Sequence, residues 1–146
     1  MYQSILVAAD GSELSTTAVE HAGRLAQAVG SRLTIVTVTE QAPTFAAAEI
    51  GWSVPSSVFD DIRKANTDKS KAILAAAKRA CGMTAEVLHI EEQRPFQGIL
   101  KAAERTGADL IVMGSHGHRG LDRLILGSQA SKVLSLSSVP VLVVKG

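Results

Sequence analysis

Several features that would mark a specialised class of protein are scarce in this chain. It has one cysteine, Cys81, which excludes an internal disulfide and any metal-type cysteine spacing. A lone thiol predicts a reducing compartment, so we expect a cytoplasmic protein. The formal net charge is only +1, which argues against a nucleic-acid binder that works by bulk electrostatics. No apolar run approaches the roughly 18 residues of a membrane span, and the first residues do not read as a signal peptide.

Aromatic residues make up only 3% of the chain, so the core must be built from Ala, Val, Leu and Ile. The hydrophobic share of 46% and the charged share of 20% are normal for a globular protein. A length of 146 residues fits one domain, and we expect residues 1–146 to form it.

Strand-like and helix-like segments alternate five times along the chain. The predicted strands are 4–10, 32–40, 83–92, 108–114 and 139–146, and the predicted helices are 13–30, 59–82, 94–107 and 128–138. Between them, residues 41–58 have no clean period and predict a long loop. Such alternation predicts parallel strands joined by right-handed crossovers, with helices on both faces of the sheet. The third strand is the less apolar one, which places it nearer an edge.

Local signals support the predicted helix ends. Ser12 is a plausible N-cap and Gly30 a natural C-cap of the first helix. Pro95 lies in the first turn of its helix, where its missing N–H costs little. Ser128 is predicted to cap the last helix.

Two loops of this pattern suit a ligand. In open parallel sheets, ligands bind outside the carboxyl ends of strands, where the strand order reverses. Asp10, Gly11 and Ser12 follow the first strand, and a glycine-rich stretch from Gly114 follows the fourth. Glycines allow positive φ and close backbone approach, so successive N–H groups can point at one anion. The P-loop and Rossmann glycine patterns are both absent.

The spacing that is present is G-x2-G-x9-G-[ST], formed by Gly114, Gly117, Gly127 and Ser128. It resembles the nucleotide-binding signature of the universal stress protein family, as do the stretches "ILVAADGSELSTTAVEHA" and "SVPVLVVK". The resemblance implies an α/β three-layer sandwich with a five-stranded parallel sheet of order 3-2-1-4-5. This is the adenine nucleotide alpha hydrolase-like architecture. It also implies an adenine-nucleotide ligand: ATP, or AMP or ADP, with Mg²⁺ as an optional companion.

The same resemblance assigns residues to the adenosine end of this ligand. Asp10 stands where the family's first-strand acid reaches the adenosine, and Ala8 and Ala9 line that pocket. Val38, near the end of the second strand, would contact adenine through its backbone and side chain.

At the phosphate end, Met113 and Gly114 would pack under the ribose and phosphates, and Gly117 would let the loop backbone approach. Four residues would hold the outer phosphates, the last two through backbone N–H groups: Gly127, Ser128, Gln129 and Ala130. In the family, Gln129 and Ala130 are more usually an apolar residue followed by Thr or Ser. The chain therefore lacks one side-chain hydroxyl at this end.

Alternative interpretations exist for several of these residues. Asp10 could cap the first helix, contact the ligand, or do both. His116 and His118 could be a metal pair, but without a third ligand nearby we expect both to be solvent-exposed. Either could still contact a phosphate, as could Arg119 or Arg123. Trp52 and Phe45 could form a lid, a partner surface or local core.

The last strand, Val139 to Val144, would be an exposed apolar edge in the 3-2-1-4-5 order. Monomers avoid such edges, and a two-fold mate pairing edge to edge would cover it. The resemblance to the universal stress protein family also implies a homodimer that pairs through this last strand.

The favoured hypothesis is a cytosolic ATP-binding stress or regulatory protein that acts through its dimer or an unknown regulatory protein partner. The alternative is a slow ATP hydrolase or nucleotidyl transferase. Asp10 is the only obvious acid at the crevice, and the glycine loop holds no Lys, so fast turnover is not expected. A phospho-receiver is rejected because the third strand ends "LHIEE" and Asp10 has no adjacent acid. A structural dimer that has lost nucleotide binding remains a further possibility.

Overall fold

Parallel strands and helices alternate through the computed structural model, which describes residues 1–40, 55–92, 94–117 and 126–146. The elements in these ranges are β1 (Ser4–Ala8), α1 (Glu13–Val29), β2 (Arg32–Glu40), α2 (Ser56–Ala80), β3 (Glu86–Glu92), α3 (Pro95–Thr106), β4 (Leu110–Gly114), α4 (Ser128–Leu136) and β5 (Val141–Val144). Within these ranges, no helix is both long and apolar enough to cross a membrane.

The five strands form one parallel sheet in the order β3-β2-β1-β4-β5, which confirms the predicted order and the edge position of β3. β1 lies at the centre, and its Ile5 is in register with Leu33 on one side and Leu110 on the other. The chain runs outward from β1 through β2 to β3 and then crosses to β4. The strand order therefore reverses between β1 and β4.

Two cores lie on opposite faces of the sheet. Ile5 and Val7 point into the core formed with α1 and α2, whereas Leu6 points into the core formed with α3 and α4. All three side chains are completely buried, and each such burial contributes roughly 1.5–3 kcal/mol. The continuously apolar first strand thus reflects burial on both faces, and the three-layer prediction is confirmed.

The predicted ends of α1 are confirmed. Ser12 is the N-cap and accepts a hydrogen bond from the Ser15 N–H, and Gly30 ends the helix at a φ of 70°. α2 begins at Ser56, three residues before its predicted start. Of the predicted long loop, residues 41–54 lie outside the described part of the chain, and Phe45 and Trp52 with them.

Asp109 joins the starts of two neighbouring strands. Its carboxylate accepts hydrogen bonds from the backbone N–H of Gln3, at 2.9 Å, and of Ser4, at 3.1 Å. These two bonds, that from Gln3 first, hold the pKa of Asp109 below its ordinary value. The carboxylate therefore ties β1 to β4 at the end of the sheet opposite their carboxyl ends.

We expect Asp109→Asn to lower the free energy of unfolding at neutral pH, because an amide cannot accept from both N–H groups as a carboxylate does. The folded-state pKa is lowered, so this stabilisation is fully present above the unfolded pKa of about 4 and is lost as the pH falls through the folded value. Urea unfolding from pH 7 downward should show the difference from wild type narrowing below about pH 4. Asp68→Asn, at an exposed position of α2, is the control. A deficit in Asp109→Asn that is the same at every pH would contradict this account.

Candidate functional site

The carboxyl ends of β1 and β4 meet at the reversal of strand order. Val7 is in register with Val112, so the segments that follow these strands leave the sheet side by side. A cavity of about 320 Å³ lies there. Its size falls at the lower end of the range for small-molecule sites.

All eleven residues predicted for the nucleotide site line this one cavity. They are Ala8, Ala9, Asp10, Val38, Met113, Gly114, Gly117, Gly127, Ser128, Gln129 and Ala130. The structure therefore brings together segments that lie up to 122 positions apart in the sequence. Their roles as ligand contacts remain predictions.

Five further lining residues were missed by the sequence reasoning: Ser15, Val36, Glu40, Pro95 and Ile99. His116, which the sequence offered as a possible phosphate contact, lines the cavity too. Ser15 and Val36 could have been found, because Ser15 lies in the first turn of α1, just after Asp10, and Val36 lies on β2, two residues before Val38. Pro95 and Ile99 could not, because nothing in the local sequence shows that the start of α3 closes one side of the cavity.

Asp10 braces the turn between β1 and α1 as well as lining the cavity. Its Oδ1 accepts hydrogen bonds from the backbone N–H of Ser12, at 2.9 Å, and from Ser12 Oγ, at 2.6 Å. Gly11 makes the turn possible with a φ of 86°. The bonds orient the Asp10 carboxylate through the residue that caps α1, so the structural role and the position at the cavity hold together.

After β4, glycine is required at 127 by a backbone neighbour, whereas Gly117 lies against the end of the Asp10 side chain. A Cβ at Gly117 would overlap Asp10 Oδ2, and one at Gly127 would lie 2.8 Å from the Ser115 carbonyl oxygen. Among the described glycines, positive φ occurs only at 11, 30, 82 and 107, so the positive φ expected for the stretch after β4 is absent from Gly114, Gly117 and Gly127.

Ser115 fixes this segment at two points. Its N–H donates to the Val144 carbonyl of β5 at 2.8 Å, and its own carbonyl accepts from the Gly127 N–H at 2.7 Å. The start of α4 is thereby held against the end of β4. Residues 118–125, which include His118, Arg119 and Arg123, lie outside the described part of the chain.

The prediction that Ser128 caps α4 is wrong. Gly127 is the N-cap, with extended backbone, and Ser128 is the first helical residue. Only glycine fits the capping position, because a side chain there would meet the Ser115 carbonyl. Within the described residues no side chain caps this helix, so the N–H groups of Ser128, Gln129 and Ala130 begin α4 without intrahelical acceptors. All three residues line the cavity.

The prediction that His116 is solvent-exposed is also wrong. Both of its ring nitrogens are buried, as is Ser115 Oγ, and none has a hydrogen-bond partner within the described ranges. Buried polar atoms nearly always have partners, and of these two residues only His116 lines the cavity, where its ring nitrogens are unpaired among the described residues. The described residues contain no cluster of three or more His, Cys, Asp or Glu that could hold a metal ion.

One wall of the cavity is apolar and closely packed. Val36, Val38 and Ile99 form this wall, Glu40 at the end of β2 lines the cavity too, and α3 crosses β2 at Gly98. A Cβ at Gly98 would lie 2.6 Å from both γ carbons of Val38. The absence of a side chain at 98 therefore sets how near α3 comes to the wall.

The arrangement fits a ligand with one flat apolar part and one anionic part. The wall offers apolar surface, while the glycine segment and the start of α4 offer N–H donors and the positive end of a helix dipole. The positions at which a Cβ would clash show that the backbone is packed too closely at this end for larger side chains.

Comparisons with known proteins agree with this geometry. The family model described as "Universal stress protein family" matches residues 1–145. "Universal stress protein YxiE" of Bacillus subtilis is 36% identical over 149 residues, covering 99% of this chain and all of the relative. The solved structure of hypothetical protein MJ0577 matches with a TM-score of 0.80 and 26% identity, covering 100% of this chain and 97% of that one. A universal stress protein in complex with cAMP matches with a TM-score of 0.66 and 26% identity, covering 99% and 97%.

We expect Gly98→Ala to lower the free energy of unfolding by about 1–3 kcal/mol through overpacking, although alanine is the better helix former by about 1 kcal/mol. Val38→Ala removes the two γ carbons that the new Cβ at position 98 would overlap. The double variant should therefore be more stable than the sum of the two single effects predicts, with a coupling of at least about 0.5 kcal/mol in urea unfolding. Strictly additive effects would show that α3 and β2 are not in contact at this point.

Proposed function

The chain belongs to the universal stress protein family, and on that premise we propose that it binds an adenine nucleotide in the cavity at the carboxyl ends of β1 and β4. ATP with Mg²⁺ is the proposed form, and ADP and AMP would share the adenosine contacts. A relative of the same fold binds cAMP. We further propose a regulatory role in the stress response, in the cytoplasm, exerted through a dimer or a regulatory protein partner.

The observation that carries the proposal is that one cavity is lined both by the uncapped start of α4 and by an apolar wall. The N–H groups of Ser128, Gln129 and Ala130 open onto the same cavity as the apolar wall of Val36 and Val38. A charge at a helix N-terminus is stabilised by about 0.3–1 kcal/mol, or ~2 kcal/mol when partly buried. Micromolar affinity requires about 8 kcal/mol. Phosphate binding by α4 alone falls short, so the adenosine contacts must supply much of the affinity.

β5 supports the proposed homodimer. It is an edge of the described sheet, and its four residues are all partly exposed. The carbonyls of Pro140 and Val144 accept from β4, so by the period of a strand the N–H groups of Val141 and Val143 face away from the sheet. A second copy of the chain could pair with these groups.

Ser128→Asp should separate nucleotide binding from folding. A carboxylate in the first turn of α4 interacts favourably with the helix dipole, so the melting temperature should not fall. The same charge would repel the phosphates, and we expect at least tenfold weaker ATP binding in isothermal titration calorimetry.

The matched control is Ser56→Asp, the same change at the first residue of α2, which does not line the cavity. It should leave ATP affinity unchanged. Wild-type protein that binds no adenine nucleotide, or undiminished affinity in Ser128→Asp, would count against the proposed site.

Val143→Pro should convert a dimer to a monomer. It removes an outward N–H of β5 and introduces a ring at the pairing edge, while the bonds to β4 are made by the alternate residues. Sedimentation equilibrium should show the mass halved, whereas Val143→Ala, which keeps the N–H, should remain dimeric. A wild-type mass of one chain at all concentrations would refute the proposed pairing.

A further inference from the structure

Gln129 makes a side-chain contact that links the starts of two helices. Its Oε1 accepts a hydrogen bond from the backbone N–H of Phe96 at 2.9 Å. Phe96 is the second residue of α3, whose own N-cap residue, Arg94, supplies no side-chain cap within the described structure. Gln129, on α4, therefore satisfies one of the open N–H groups at the start of α3.

This contact fixes which way the carboxamide points. The Phe96 N–H can only donate, so the oxygen of Gln129 must face it, and the two N–H donors of Nε2 point elsewhere. No acceptor in the described part of the chain takes up Nε2, and this nitrogen is not among the buried atoms that lack partners. Gln129 and Pro95 both line the cavity. The donors of Nε2 are therefore accessible beside the cavity.

The bond to Phe96 orders the Gln129 side chain, and neighbouring contacts hold α3 and α4 together. Lys132 Nζ lies 4.8 Å from the centroid of the Phe96 ring, one turn along α4 from Gln129. Ala130 and Val133 anchor α4 in the core and are almost completely buried. A side chain that is already ordered loses less conformational entropy when a ligand binds.

We propose that the carboxamide of Gln129 donates a hydrogen bond from Nε2 to a phosphate oxygen of the bound nucleotide, a contact additional to that of its backbone N–H. This inference rests on the proposed nucleotide site. A phosphate oxygen is the fitting partner because it only accepts, and the neighbouring N–H groups of Ser128 and Ala130 only donate toward the same part of the cavity. The Phe96 N–H is the group that aims the donor.

Two variants separate the donor from the cap. Gln129→Glu keeps an oxygen for the Phe96 N–H but replaces the donors with a charged acceptor. Gln129→Met removes both without adding charge. The control is Gln27→Met, which removes the bond from Gln27 Nε2 to the Gly82 carbonyl on the opposite face of the sheet. It tests whether losing any glutamine bond to the backbone affects binding.

Affinities for ATP and for adenosine would be measured by calorimetry and, for weak binding, by NMR titration. We expect the ratio of ATP to adenosine affinity to fall about tenfold to a hundredfold in both Gln129 variants and to stay at the wild-type value in Gln27→Met. Comparing the two ligands removes any change at the adenosine end caused by movement of α3. The Gln129 carboxamide signals, identified by their loss in Gln129→Met, should move downfield with ATP and not with adenosine.

A wild-type ratio in both Gln129 variants, or carboxamide signals that respond equally to the two ligands, would overturn this inference and leave the nucleotide site standing. Wild-type protein that binds neither ligand would overturn the proposed function itself, and the Gln129 contact with it.

Discussion

The reversal of strand order beside β1 is the constraint on which the site depends. Because the chain moves outward on one side of β1 and then returns on the other, the segments after β1 and β4 leave the sheet next to each other with no helix between them. The cavity is a consequence of this topology before any particular side chain is considered. Burial of β1 on both faces keeps the two segments in register, and the bonds of Asp109 hold the opposite ends of the same strands together.

Close packing, more than unusual backbone dihedrals, shapes the part of the cavity lined by Gly117 and Gly127. Gly127 lies against the Ser115 carbonyl and Gly117 against the Asp10 carboxylate, and neither has a positive φ. Close packing also matters at the apolar wall, where the lack of a side chain at Gly98 leaves room for the γ carbons of Val38. At each of these three positions an added Cβ would lie within 3 Å of a neighbouring atom, so close packing around the cavity relies on glycine.

The alternation of elements in the sequence predicts the parallel sheet, whereas its strand order and the residues expected at the site came from the resemblance to the universal stress protein family. The structure confirms the order and gathers those residues around one cavity, and their roles as ligand contacts remain predictions. What could not be predicted depends on contacts between distant segments. Gly127 rather than Ser128 is the N-cap of α4, because a side chain at 127 would meet the Ser115 carbonyl. The ring nitrogens of His116 are buried although a loop histidine is usually exposed. Pro95 and Ile99 reach the cavity only through the packing of α3 on β2. The contact from Gln129 to Phe96 joins positions 33 residues apart, and neither residue signals the other in the sequence.

The alternation of side chains along β1 has a practical consequence for spectroscopy. Ile5 and Leu6 are neighbours in the chain, yet their methyl groups lie in separate cores, and only Leu6 belongs to the core that contains the cavity wall. Isotope labels on these two methyl-bearing residues would form an internal reference pair. A change that begins at the cavity wall would shift the methyl signals of Leu6 before those of Ile5. Global loosening of the molecule would shift the signals of both residues together.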